Sequence, residues 1–135
     1  MRIRAIHISL QILVKRKALL SALAGAKSAL PNEFICLLTG RKTKNAMIVE
    51  DTLIPPMIMV SETTSSFNDW MIPIVENFVG TFHSHPSGSR KPSDEDLWLF
   101  QQKGGVHFIA SKPFDENSVD CYLGMGRKAN FKVVD

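Results

Sequence analysis

The chain has 135 residues, 44% hydrophobic and 21% charged. This fits one globular domain with a real core and excludes a disordered tail, a collagen-like rod and a simple coiled coil. Sixteen Lys and Arg against thirteen Asp and Glu leave a net charge of +3, too dilute a basic excess for a nucleic-acid surface. Two cysteines exclude a disulfide scaffold and an all-cysteine zinc site.

The N-terminus, Met1-Arg2-Ile3-Arg4, starts charged, but Lys15, Arg16 and Lys17 break up the apolar stretch that a signal peptide would need. No run approaches the roughly 18 apolar residues of a membrane-spanning helix. The expected address is the cytoplasm, with Cys36 and Cys121 reduced. Ile3, Ala5, Ile6 and Ile8 suggest a short strand. Gln11 to Leu30 is predicted as one long helix, with Leu13, Leu20, Leu23 and Ala24 near helical spacing and Lys15–Lys17 on a solvated face. Pro31-Asn32 stops it.

Glu33 to Leu38 then forms a mostly buried strand, ended by Thr39-Gly40. A basic turn, Arg41 to Asn45, leads to a partner strand, Ala46 to Val49. Residues 51–74 hold Pro55-Pro56, a Met-rich run (Met57, Ile58, Met59, Val60) and a polar loop from Ser61 to Ser66. One or two strands with a long connection are expected there, and Pro73 argues against an uninterrupted central strand. Phe78 to His83 is a strand, and a Pro-, Gly- and Ser-rich loop follows from Pro86 to Pro92. Ser93 opens a short helix that Gly104-Gly105 ends. Val106–Ala110, Val119–Leu123 and Phe131–Val134 complete the strands, with a turn at Gly124-Met125-Gly126. The expected fold is a single α/β (α+β) domain over residues 1–135: a mixed sheet flanked by a long first helix and a short second one.

The chemistry concentrates in one string, Thr81-Phe-His-Ser-His-Pro-Ser-Gly-Ser-Arg-Lys-Pro-Ser-Asp-Glu-Asp96. Residues i and i+2 of a strand share a side, so His83 and His85 project together. Neutral imidazole is a first-choice zinc ligand. A third ligand must come from nearby, and Asp96 is the natural candidate. The plainer alternative is a capping box, with Ser93 as N-cap and Asp96 three residues on, helped by Asp94 and Glu95 at the positive end of the helix dipole. The two readings coexist for Ser93 and compete for Asp96.

The whole string resembles the signature of the JAMM (MPN-plus) family of zinc-dependent isopeptidases, H-x-H-P-x-G-x-x-x-P-S-x-x-D. His83, His85, Pro86, Gly88, Pro92, Ser93 and Asp96 fill every fixed position. The family also places a catalytic glutamate after the first long helix, in a region of the form E-x-x-G-L-L-x-G. Glu33, Leu37, Leu38 and Gly40 match it, with Cys36 where glycine is common. The resemblance implies an MPN/cytidine-deaminase-like fold and zinc held by His83, His85 and Asp96, with water in the fourth position. It also implies Glu33 as general base and Ser93 as a donor to the oxyanion. The implied substrate is the C-terminal tail of a ubiquitin-like modifier or a sulfur-carrier protein, cleaved at an amide or isopeptide bond. The implied type is the stand-alone archaeal or bacterial one, a bare catalytic domain. The alternative is a non-catalytic MPN-type scaffold, which would show a broken signature.

His7 and His107 have no partner at ligand spacing and are expected to be scaffold or surface histidines. Trp70 and Trp98 are expected to pack, with Trp98 or its neighbours Leu97 and Phe100 seating the short helix. The Met-rich run is either core filler or an adaptable strand edge for substrate. Cys36 has no Cys-His motif around it. It and Cys121 could pair only if their strands are neighbours. A deaminase would need a C-x-x-C pair, which the sequence lacks. Neither nucleic acid nor membrane is an expected partner, and oligomeric state leaves no signal in the chain.

Overall fold

The computed structural model describes residues 10–54 and 75–135. The expected first strand, His7, the Met-rich run, the polar loop after it and Trp70 lie outside the described residues. The elements run β1 (Gln11–Lys15), α1 (Arg16–Ala29), β2 (Ile35–Lys42), β3 (Ala46–Leu53), β4 (Phe78–His85), α2 (Asp94–Lys103), β5 (Val106–Ser111), β6 (Val119–Leu123), β7 (Arg127–Ala129) and β8 (Lys132–Val134). The result is the mixed α+β domain that the sequence predicts.

The largest departure is at the start. Gln11–Lys15 is a strand, not the first turns of the helix. Ile12 and Val14 are buried while Gln11, Leu13 and Lys15 are more exposed, a period of two that β-branched side chains suit. The segment is further committed by pairing parallel to β3 on one side and β8 on the other. The helix proper begins at Arg16 and buries Ala18, Leu19, Ala22, Leu23 and Ala26 along one stripe. The β2–β3 hairpin is longer than the sequence suggests. Arg41 and Lys42 stay in β2, and β3 continues to Leu53. The short strand β7 was not foreseen.

The eight strands form one mixed sheet in the order β7-β6-β5-β4-β2-β3-β1-β8. Its two edges, β7 and β8, are separated in the chain only by Asn130 and Phe131. That connection reaches about 10 Å, whereas the edges of a flat eight-stranded sheet would lie roughly 30 Å apart. The sheet must therefore curl until its edges approach. The main apolar core, with Phe82, Phe108, Cys36, Cys121 and the buried stripe of α1, lies on the face that α1 covers. The other face carries Leu37 with Leu99, and Phe100 with Ile109 and Tyr122, beneath α2.

Alternation along each strand sorts side chains between these faces. In β4, Phe82 turns towards α1, so Thr81, His83 and His85 turn towards α2. In β5, Phe108 and Ala110 belong to the α1 face and His107 and Ile109 to the other. At the start of β4, a Cβ on Gly80 would lie 1.6 Å from the Val106 carbonyl oxygen. Only glycine allows β4 and β5 to approach that closely. Cys36 and Cys121 are both buried and free. Two strands separate β2 from β6, a gap of about 14 Å, twice the roughly 7 Å limit for a disulfide.

Candidate metal centre

β4 delivers both histidines to the α2 face, and the loop after it turns the chain back. Its conformation is pinned at several points. The Ser89 carbonyl accepts from His85 Nδ1 (2.8 Å), and the Arg90 carbonyl accepts from the Tyr122 hydroxyl (2.7 Å). Arg90 itself donates to the Asn117 carbonyl (3.0 Å) and lies 3.7 Å from Asp120. The chain then enters α2 through Ser93. The Ser93 hydroxyl accepts from Asp96 N–H (3.0 Å), and Asp96 Oδ2 accepts from Ser93 N–H (2.9 Å). This is a complete capping box, with Asp94, Glu95 and Asp96 all in the positive first turn.

The capping box does not exclude the other role of Asp96. A carboxylate offers two oxygens and about four acceptor positions. Oδ2 caps and also lies 3.1 Å from His85 Nε2, while Oδ1 lies 3.3 Å from His83 Nδ1. Capping and contact with the histidines thus coexist: the helix start holds the carboxylate where both imidazoles meet it. His83 and Asp96 are buried, and His85 is partly so.

Burial sets the protonation states. It pushes His83 down to about 4, against the pull of the Asp96 charge. It also lowers His85, but the Asp96 hydrogen bond, the Ser89 carbonyl and the charges of Asp96 and Glu33 outweigh it and leave the net shift upward. For Asp96 burial acts upward, yet the His85 hydrogen bond and the neighbouring imidazoles bring it down to about 2. At neutral pH the site thus holds an ionised carboxylate beside a neutral His83.

Glu33 sits just before β2, half-buried. Ile35 pairs with His83 in an antiparallel register, and the Phe34 carbonyl accepts from Ser84 N–H at 2.9 Å. Carried one residue further, the same register sets Glu33 across from His85, and its charge acts on that ring. The structure therefore gathers all five residues singled out by sequence: His83, His85 and Asp96 in contact, Ser93 on Asp96, and Glu33 beside His85. Ser93 is exposed at the helix start.

Two residues sharpen the expectations. His107 takes the scaffold alternative: it is fully buried, and its Nδ1 lies 2.7 Å from the Thr81 hydroxyl, which is 3.0 Å from His83 Nε2. The register that pairs Thr81 with His107 creates this link. Strand periodicity points to Thr81, two residues before His83, but no local signal connects β4 to β5. Trp98 is half-exposed and does not seat α2; the expected neighbour Phe100 does, together with Leu99. It follows Asp96 by two positions, which turns it away from the helix's buried side.

The donor set suits zinc. Among the described residues no three such side chains are drawn around a common coordination point, and the trio is satisfied through its own contacts. Its chemistry nonetheless fits. Two imidazoles and a carboxylate are a catalytic zinc set. The Ser89 carbonyl holds a proton on His85 Nδ1, which makes Nε2, facing Asp96, the nitrogen that would bind a cation. The two imidazoles lie 3.3 and 3.1 Å from the two Asp96 oxygens, so all three candidate donors meet at one place.

Comparison with known proteins identifies the family. Residues 15–122 match the family described as prokaryotic homologs of the JAB domain. A probable metalloprotease of Haloferax volcanii is 30% identical over 120 residues, covering 84% of this chain and 74% of that protein. Among solved structures, a JAB1/MPN domain protein from Archaeoglobus fulgidus is 38% identical with a TM-score of 0.69, covering 90% of this chain and 98% of the other. A structure described as JAMM, a metalloprotease-like zinc site in the proteasome and signalosome, is 36% identical with a TM-score of 0.68, covering 94% and 99%. The match to residues 15–122 spans the site and most of the sheet, and with it this chain belongs to the prokaryotic branch of the JAB-domain (JAMM/MPN) family.

Proposed function

We propose that this protein is a zinc-dependent metalloprotease that hydrolyses an amide or isopeptide bond at the C-terminal tail of a ubiquitin-like or sulfur-carrier protein. The observation that carries the proposal is Asp96, held by the helix start with one oxygen facing each histidine. The metalloprotease-like relatives support the same chemistry. His83, His85 and Asp96 would hold the metal. A bound zinc ion supplies Lewis acidity and brings the pKa of water at its open position towards about 7.

The remaining work falls to the protein's own groups. Glu33, beside His85, takes a proton from the attacking water and delivers it to the leaving amine. The Ser93 hydroxyl accepts from Asp96 N–H, which leaves its own hydrogen to donate to the developing oxyanion. The upward shift of His85 puts a proton and a cation in competition for that ring.

The test uses linked and C-terminally extended ubiquitin-like substrates, with and without chelator. Cleavage should stop on complete zinc removal and return when zinc is restored. Cleavage that survives removal contradicts the mechanism. A folded protein that binds zinc but cleaves neither substrate class contradicts the substrate assignment.

A further inference from the structure

Each histidine of the site makes one hydrogen bond through the nitrogen turned away from Asp96, but the two bonds differ in kind. His85 Nδ1 meets the Ser89 carbonyl, a pure acceptor, so the proton must sit on Nδ1. His83 Nε2 meets the Thr81 hydroxyl, which can accept or donate. That bond alone does not decide which His83 nitrogen carries the proton. If Thr81 donates to Nε2, the proton lies on Nδ1, the nitrogen that faces Asp96, and the lone pair needed for a cation is lost.

With a cation taking up the Nδ1 lone pair, His83 Nε2 must carry the proton, and His107 gives the Thr81 hydroxyl a second partner to which it can send its own hydrogen. His107 Nδ1 lies 2.7 Å from the same hydroxyl, and Thr81, His107 and His83 are all buried away from water. The hydroxyl has one hydrogen. Spent on His107 Nδ1, it leaves Thr81 only as an acceptor towards His83, and His83 Nε2 must then be the N–H. This places the His107 proton on Nε2, a buried atom with no hydrogen bond among the described residues, although the Gly104 carbonyl favours a proton on the ring. The ring stacks on Phe100, with centroids 4.2 Å apart. Phenylalanine would supply that contact without burying an unpartnered nitrogen, so packing alone does not explain a histidine here.

We propose that Thr81 and His107 are positioning residues for the metal centre, a relay that holds His83 as its Nε2–H tautomer and keeps Nδ1 directed at Asp96 and the cation. The inference rests on the zinc reading above. Outer-shell partners of metal-bound histidines typically contribute 10–100-fold in affinity.

The test has two readouts that need no catalysis. In zinc-loaded wild-type protein, long-range 1H–15N NMR of the imidazoles should show His107 protonated at Nε2 and bare at Nδ1. Chelator competition should show zinc binding weakened roughly 10–100-fold in Thr81→Val and held within about threefold of wild type in Thr81→Ser. His107 protonated at Nδ1 in the loaded wild type overturns the relay, and that measurement does not depend on any variant folding. A folded Thr81→Val with wild-type affinity also overturns it, even if its melting temperature falls. Wild-type protein that binds no zinc overturns the zinc reading itself and the relay with it, whereas the first two results leave the zinc reading standing.

Discussion

At the scale of single residues, the site depends on Asp96 serving a helix and two imidazoles at once. The two duties are separable by substitution. Asp96→Asn keeps a side-chain oxygen that can accept from Ser93 N–H, so stability should fall by no more than about 1 kcal/mol. Zinc affinity should fall by well over the roughly 10–100-fold typical of an outer-shell change. Denaturant unfolding and chelator competition on one sample distinguish the two effects. Ser93→Ala should lose about 1 kcal/mol as a cap and, in the proposed hydrolysis, about 10²–10³ in kcat. A variant that loses stability but keeps kcat would restrict Ser93 to capping.

The buried histidines also give the metal-free protein an acid sensitivity. His83 and His107 fall from 6.5 to about 4 and about 3, chiefly through burial. The unfolded chain binds more protons in that window, so stability is intact above about pH 6.5 and declines as pH falls through the folded values. His85, shifted upward, acts in the opposite sense above 6.5. The denaturation midpoint of metal-free protein should therefore drop between pH 7 and pH 5, and less steeply in His107→Phe. An equal drop in both would remove His107 from this account. The trio proposed to hold the metal was legible because two strand residues and a helix cap lie within one short string. His107 was not, because its partnership crosses from β4 to β5 and depends on a register that no local pattern encodes.

At the scale of elements, the close approach of β4 and β5 places Thr81 beside His107 and His83 beneath α2. Gly80→Ala would drive a Cβ into the Val106 backbone, where no side chain can yield. We expect a loss of about 3 kcal/mol or more, measured by urea unfolding, with zinc affinity falling in parallel because the relay residue is next in sequence. Stability within 0.5 kcal/mol of wild type, on the order of an ordinary surface change, would contradict this packing. Strands β4, β5 and β6 and helix α2 were readable from apolar runs bounded by Gly, Pro and an N-cap serine. Strand β1 was not. Gln11–Lys15 abuts a strong helix former, and its alternation of Ile12 and Val14 is too short to stand out until β3 and β8 pair with it. Strand β7 is three largely polar residues, which carry no periodic signal.

At the scale of the whole molecule, the sheet curls around α1 and keeps the chemistry on its other face. Phe131, in the connection between the two sheet edges, meets Phe108 edge to face at 5.2 Å. Phe131→Ala should cost about 2 kcal/mol, less than a fully buried phenylalanine. Because Phe108 lies on the α1 face, zinc affinity should stay unchanged; a large drop in affinity would show that the two faces are coupled. The family resemblance was legible from the signature string alone, since its fixed positions combine candidate ligands with turn and cap residues in one short span. The curl was not, because it follows from which strands become edges.

The central claim is that a metal held by His83, His85 and Asp96 works with Glu33 as the proton carrier. Its most direct test is to assay Glu33→Gln for bound zinc and for hydrolysis in the same preparation. The expected result is about one zinc per chain, as in the wild type, with cleavage at background. Full hydrolytic activity in that variant would contradict the account.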